Sequence, residues 1–62
     1  MKLKDIMIKY RSSYLITQEQ LAIETGVSIS TIIKAEKGEK VSTLSKAKIA
    51  NYIGYKIEDL ED

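Results

Sequence analysis

"TQEQLAIETGVSISTIIKAEKG", residues 17–38, decides the fold, because it holds two helix starts with one glycine between them. Thr17 is the first start. Its hydroxyl can accept from the Gln20 amide while the Gln20 side chain returns to the Thr17 amide, which is a capping box. Ile16 and Leu21 stand where a hydrophobic staple belongs. A two-turn helix over about 18–25 follows, and Gly26 is the residue that tolerates positive φ just past its end. Ser28 is the second start, with Val27 and Ile32 as a second staple. The helix it opens is predicted over about 29–37, stopping at Gly38.

Working outward, Leu3, Ile6, Met7, Tyr10 and Tyr14 recur at i, i+3, i+4, i+7 and i+11, one face of an amphipathic first helix through about residue 13. Ser42 caps a fourth helix whose apolar stripe is Leu44, Ala47, Ile49, Ala50 and Ile53, ended by Gly54. Residues 57–61 can add one last turn presenting Ile57 and Leu60. No segment alternates apolar and polar residues long enough for a strand, and hairpin dipeptides are absent. With no Pro, repeat or low-complexity tract, nothing marks a linker. The expectation is an all-α fold, a bundle of four to five short helices forming a single domain over 1–62. Within it, the two short helices around Gly26 make a helix-turn-helix at about 18–37, whose second helix can lie in a DNA major groove.

Composition narrows the chemistry. At 62 residues a core alone supplies only about 3 to 5 kcal/mol. The chain has no Cys and no His, so disulfides, a zinc cluster and a haem ligand are ruled out, and no metal or cofactor is expected. Capped helices and self-association are the remaining stabilisers, and a reducing cytoplasm fits. The commonest general base and the best nucleophile are both missing, so an enzyme is not expected. No apolar run approaches the roughly 20 residues of a membrane span, and charges interrupt the start of the chain where a signal peptide would be apolar. A soluble, unprocessed chain is expected.

The net charge of +1 conceals an asymmetry. Residues 1–56 carry all ten basic residues and five of the nine acids, while Glu58, Asp59, Glu61 and Asp62 crowd the end. A basic body of this kind can attract phosphates with the acidic end turned away.

The run of Thr-Gln, Leu-Ala, Gly-Val-Ser, Ser-Thr-Ile and Glu-x-Gly within residues 17–38 resembles the lambda-repressor-like, Cro-type regulators of the XRE family, and the resemblance covers nearly the whole chain. It implies that Gln18 contacts a DNA phosphate and braces the recognition helix; a solvated first-turn residue is the plainer alternative. It further implies phosphate contacts from Thr31, Lys37, the Gly38 backbone, Lys40 and Lys46, although exposed lysines often only solubilise. Ile29, Ser30, Ile33 and Lys34 match the positions that face base edges. Of these, Lys34 can donate to guanine O6 and N7, Ser30 can pair with several bases, and the isoleucines can only make apolar contact, for instance with a thymine methyl. An apolar Ile33 departs from the usual polar residue. Since Ile32 takes the inward position, Ile33 is expected to be exposed rather than in the core. Arg11 and Glu36 match a partly buried ion pair between the first and third helices, the alternative being two solvated charges. Leu15 replaces a frequent glycine, and Lys56 stands where Ser or Thr often caps the fifth helix.

These residues lead to the expectation of a sequence-specific double-stranded DNA-binding regulator, a small Cro-like repressor of phage, mobile-element or bacterial operon origin. Without an effector pocket or self-cleavage module, it would be regulated by its own concentration and by competition for operators. Helix dipoles at the starts of the second and fourth helices would help hold phosphates. A homodimer is expected through Tyr52, Tyr55, Ile57 and Leu60, unless these merely close the core. The rival class is an antitoxin or accessory protein-interaction module using the apolar surface of Ile23, Ile29 and Ile33.

Overall fold

Three hydroxyls set three of the helix starts. In the computed structural model, which describes residues 1–61, the elements are α1 (Leu3–Tyr14), α2 (Gln18–Thr25), α3 (Ile29–Glu36), α4 (Thr43–Ile53) and a single 3-10 turn (Ile57–Asp59). Thr17 Oγ1 accepts from the Gln20 amide at 3.0 Å, Ser28 Oγ from Thr31 at 3.3 Å and Ser42 Oγ from Ser45 at 3.2 Å. Each cap satisfies an amide that the first turn leaves without a partner. The expected capping box at Thr17 is one-sided, however. The Gln20 carboxamide donates down the helix to Glu24 Oε2 at 3.0 Å, a favourable i,i+4 pair that takes the side chain away from the Thr17 amide. At Lys56 the cap comes from downstream, where the Asp59 carboxylate accepts the Lys56 N–H at 3.0 Å.

The largest fully buried side chains, one from each α-helix, form the centre of the core: Met7, Leu21, Ile32 and Ile49. Leu3, Ile6, Ala22, Val27 and Ala35 surround them, and Ile16, Val41, Ile53 and Leu60 pack from the rim. α1 packs against α3 and α4, and α2 against the same two helices, within dimensions of 26 × 21 × 18 Å. Both staple pairs are in place, since Leu21, Val27 and Ile32 are buried and Ile16 lies against them.

Two apolar positions leave the core. Leu44 is 66% exposed; five residues before Ile49, it lies about 140° around the helix at 100° per residue, and Val41 packs inward just before the cap instead. Tyr14, the last residue of α1, is also 66% exposed, because the chain turns away at once through Leu15. That leucine adopts the left-handed conformation, φ 55° and ψ 43°, and its N–H reaches the Arg11 carbonyl.

The acidic end is not turned away from the basic body. The Glu61 N–H donates to the Met1 carbonyl at 2.7 Å, and the Glu61 carboxylate lies 3.6 Å from the Met1 ammonium. Asp62, the last of the four terminal acids, lies outside the described residues.

Candidate nucleic-acid interface

The turn between α2 and α3 is three residues long. Gly26, at φ 73°, donates to the Ala22 carbonyl, Val27 plugs into the core and Ser28 caps α3. A Cβ at Gly26 would meet no neighbour, so it is the left-handed backbone that calls for glycine there. This short link leaves α3 with two distinct sides. Ile32 and Ala35 face inward, while Ile29, Ser30 and Lys34 are exposed. Ile33 is only half-buried rather than open to solvent: about 100° from buried Ile32 on one side and from exposed Lys34 on the other, it sits on the border of the two faces.

α3 is locked in place from its C-terminal turn. Arg11 Nε lies 2.6 Å from Glu36 Oε2, Arg11 Nη2 2.8 Å from Oε1, and Gln18 Nε2 donates to the same Oε1 at 3.1 Å. The third guanidinium nitrogen, Nη1, donates to the Ile16 carbonyl at 3.2 Å. The Glu36 carboxylate thus joins α1, the start of α2 and the end of α3, and the Arg11 guanidinium extends the network to the α1–α2 link. The Glu36 side chain is 8% exposed and that of Arg11 25%. Its hydrogen bond to Glu36 holds the Arg11 guanidinium above its ordinary pKa, against the opposing effect of burial.

Thr31 is half-buried, with its hydroxyl 2.8 Å from Ser28 Oγ in a small hydroxyl cluster at the head of α3. Lys37 caps α3, and Gly38 (φ 82°) and Lys40 carry the chain on toward α4, where Lys46 is half-buried. Together with the start of α1, this loop encloses an open groove of about 480 Å³ to which Lys2 and Lys4 also contribute. Neither lysine carried a local signal in the sequence, because a single charge on an exposed helix start looks the same wherever the helix docks. The four residues expected at a dimer interface are not equivalent. Tyr52 (43% exposed) and Ile57 (37%) face solvent, whereas Tyr55 and Leu60 pack against the core. The Tyr52 hydroxyl donates to Glu24, and its ring stands edge-on to Tyr10 at 5.8 Å. Nothing local in the sequence marks this α4–α2 latch or the 90% exposure of Leu15, while Ile23, expected on an apolar partner-binding surface, is 75% exposed. Among the described residues no acidic, His or Cys cluster could hold a metal ion, and no helix is long and apolar enough to cross a membrane.

Residues 7–60 match the family model described as helix-turn-helix. An uncharacterized HTH-type transcriptional regulator of Methanocaldococcus jannaschii is 46% identical over 59 residues, which cover 94% of this chain and 89% of that protein. An uncharacterized HTH-type transcriptional regulator of Archaeoglobus fulgidus is 43% identical over 53 residues, 84% of this chain and 76% of the relative. No solved structure is significantly similar to the chain.

Proposed function

Because this chain belongs to the XRE-type helix-turn-helix family, we propose that it is a transcriptional regulator that binds double-stranded DNA sequence-specifically through α3. In the finer reading it is a small Cro-like repressor of phage, mobile-element or bacterial operon origin, acting in the cytoplasm as a single domain without a cofactor. Members of the family are typically non-enzymatic. The observation that carries the reading is the outward face of α3: Ile29, Ser30 and Lys34 are exposed on a helix whose other side is anchored by Ile32, Ala35 and Glu36. A rigid helix with a small polar residue, a cation and apolar tips is suited to reading base edges. Ile33, at the border, contributes a contact at the edge of that face.

Phosphate contacts are assigned to Gln18, Thr31, Lys37, the Gly38 backbone, Lys40 and Lys46, which position the helix without reading sequence. Gln18 is placed for two tasks, since its carboxamide already braces Glu36. Two copies bind together, with Tyr52 and Ile57 as the solvent-facing part of the interface and Tyr55 and Leu60 supporting it from the core side. Selection of bound sequences from a random duplex library tests the reading: enrichment of a two-part site supports it, and failure to enrich any sequence at low salt removes it.

A second reading, a protein-interaction module, draws on Ile23, which is 75% exposed on α2 where phosphates would gain nothing from it. The salt dependence of binding separates the two. Phosphate neutralisation gives a log–log slope of about −0.9 per contact, and an apolar protein contact gives almost none.

A further inference from the structure

The groove between the start of α1 and the α3–α4 loop gathers more positive charge than the loop alone provides. Five lysines line it, Lys2, Lys4, Lys37, Lys40 and Lys46, against two carboxylates, Glu39 and Glu61. Among the described residues no ion pair engages Lys2, Lys4, Lys37 or Lys40. Buried Leu3 and Ala35 belong to its walls, and an apolar backing strengthens the field of the charges above it. Gly38 admits the Lys4 stem. A Cβ at Gly38 would stand 3.3 Å from Lys4 Cδ, on a backbone whose φ of 82° already disfavours a side chain.

An anion already sits in this groove, and it belongs to the chain. Glu61 is tethered there by its backbone bond to Met1 and by an ion pair whose side chains are 48% and 75% exposed. Such an exposed pair contributes little, so a competing anion displaces the carboxylate at small cost.

We infer that this groove is a phosphate-binding site, in which Lys2 and Lys4 add phosphate contacts to those of the α3–α4 loop and Glu61 is an internal competitor for them. The inference rests on the DNA-binding reading for its main ligand, the backbone of duplex flanking the bases that α3 reads. The chemistry is that of phosphate, whether in a duplex or in a free diphosphate. A protein whose affinity for flanking duplex is held down by its own Glu61 carboxylate distinguishes sites by their flanks as well as by their bases.

Amide NMR titrations of the full chain test this, using inorganic pyrophosphate, the selected operator duplex trimmed to the half-sites, and the same duplex with flanking base pairs. Pyrophosphate should shift residues 2–4, 37–40 and 61. Lys2→Gln combined with Lys4→Gln, with the melting temperature checking the fold because Lys4 is half-buried beside Gly38, should weaken the flanked duplex and make its salt slope shallower by about two units, at about 0.9 per lost phosphate contact. The trimmed duplex should be bound as before. Glu61→Gln should tighten pyrophosphate severalfold. Groove shifts with pyrophosphate but no effect of flanks would make a free diphosphate the ligand. If the duplexes move the α3 amides while groove amides stay still and the double variant keeps the parent slope, the groove assignment is overturned and the reading by α3 stands. If pyrophosphate moves the groove and no duplex moves α3, the groove stands and the reading by α3 falls.

Discussion

Arg11 and Glu36, 25 residues apart in sequence, meet as a two-bonded pair, Nε to Oε2 at 2.6 Å and Nη2 to Oε1 at 2.8 Å. Removing one partner of a buried pair typically costs about 3 to 5 kcal/mol, and here the partial exposure of Arg11 reduces that. Arg11→Met should destabilise by about 2 to 3 kcal/mol, since it strands the nearly buried carboxylate and also frees the Ile16 carbonyl. Glu36→Gln should cost less, because the more exposed guanidinium can turn to water. The double variant should lose less than the sum of the two, with a coupling of about 1 to 2 kcal/mol in urea unfolding. Additive losses would mean that the pair holds nothing together.

Leu15→Gly should stabilise the chain. The leucine sits at φ 55° and is 90% exposed, so its removal relieves about 1 to 2 kcal/mol of left-handed strain while sacrificing almost no packing. Glycine's greater freedom in the unfolded chain takes back part of that. A net gain of roughly 0.5 to 1 kcal/mol corresponds to a rise of a few degrees in Tm for a domain of this size. A lower Tm would mean that glycine's freedom in the unfolded chain outweighs the relieved strain.

Tyr52 and Glu24 should titrate as linked groups. The Tyr52 hydrogen bond holds the Glu24 carboxyl below its ordinary 4.5, with a smaller contribution from Gln20. Donating that bond pushes the Tyr52 hydroxyl well above the ordinary tyrosine range. Glu24 is depressed in the folded state, so its contribution is present above pH 4.5 and is lost as pH falls through the folded value. Tyr52 is raised, so its contribution is present below the ordinary tyrosine value of 10.0 and disappears as pH rises through the folded value. Tyr52→Phe should return Glu24 toward its ordinary pKa in a carboxyl NMR titration. The stability difference between the parent and Tyr52→Phe should shrink as pH falls through the folded Glu24 value. An unmoved Glu24 would place the hydroxyl elsewhere in solution.

On the proposed DNA face, positioning and reading should separate. Lys37→Ala should weaken operator and random duplex by similar factors and make the salt slope shallower by about one unit. Gln18→Ala should weaken both alike without changing the slope, since the residue is neutral. Lys34→Ala should instead remove about 1 to 3 kcal/mol of discrimination at one base pair, and Ile33→Ala should relax a choice for thymine. Titrations against the operator, its single-base variants and a random duplex at one salt concentration measure all four. Equal losses everywhere for Lys34→Ala would reassign it to a phosphate.

As a homodimer the protein should protect two half-sites about 10 base pairs, or roughly 34 Å, centre to centre. Tyr52→Ala with Ile57→Ala should uncouple them, leaving one-half-site binding, whereas Tyr52→Phe, which loses the same bond to Glu24 but keeps the ring, should leave them coupled and so separates the interface from the latch. A single protected half-site and a monomer mass at saturation for the parent chain would rule the dimer out.

Features whose partners lie within one helical turn are legible in the chain alone. Thr17, Ser28 and Ser42 find their amides three residues on, so no other element has to be in place for those starts to be read. The core follows nearly as directly, because the spacing of Met7, Leu21, Ile32 and Ile49 on four amphipathic segments leaves each only one side to bury. The Arg11–Glu36 contact was legible through family resemblance, not spacing, since nothing local relates two charges 25 positions apart. The remainder depends on how the helices dock: Gln20 turns to Glu24, Leu44 points to water while Val41 packs inward, and Ile33 falls on a border. Docking alone brings Tyr52 to Glu24, and Lys2, Lys4 and Glu61 to one groove. The reason is geometric. A charge or a tyrosine on a helix surface has the same local sequence wherever that helix docks, and the angle at which α1 and α4 cross their neighbours, set by the whole core at once, decides which surface groups meet.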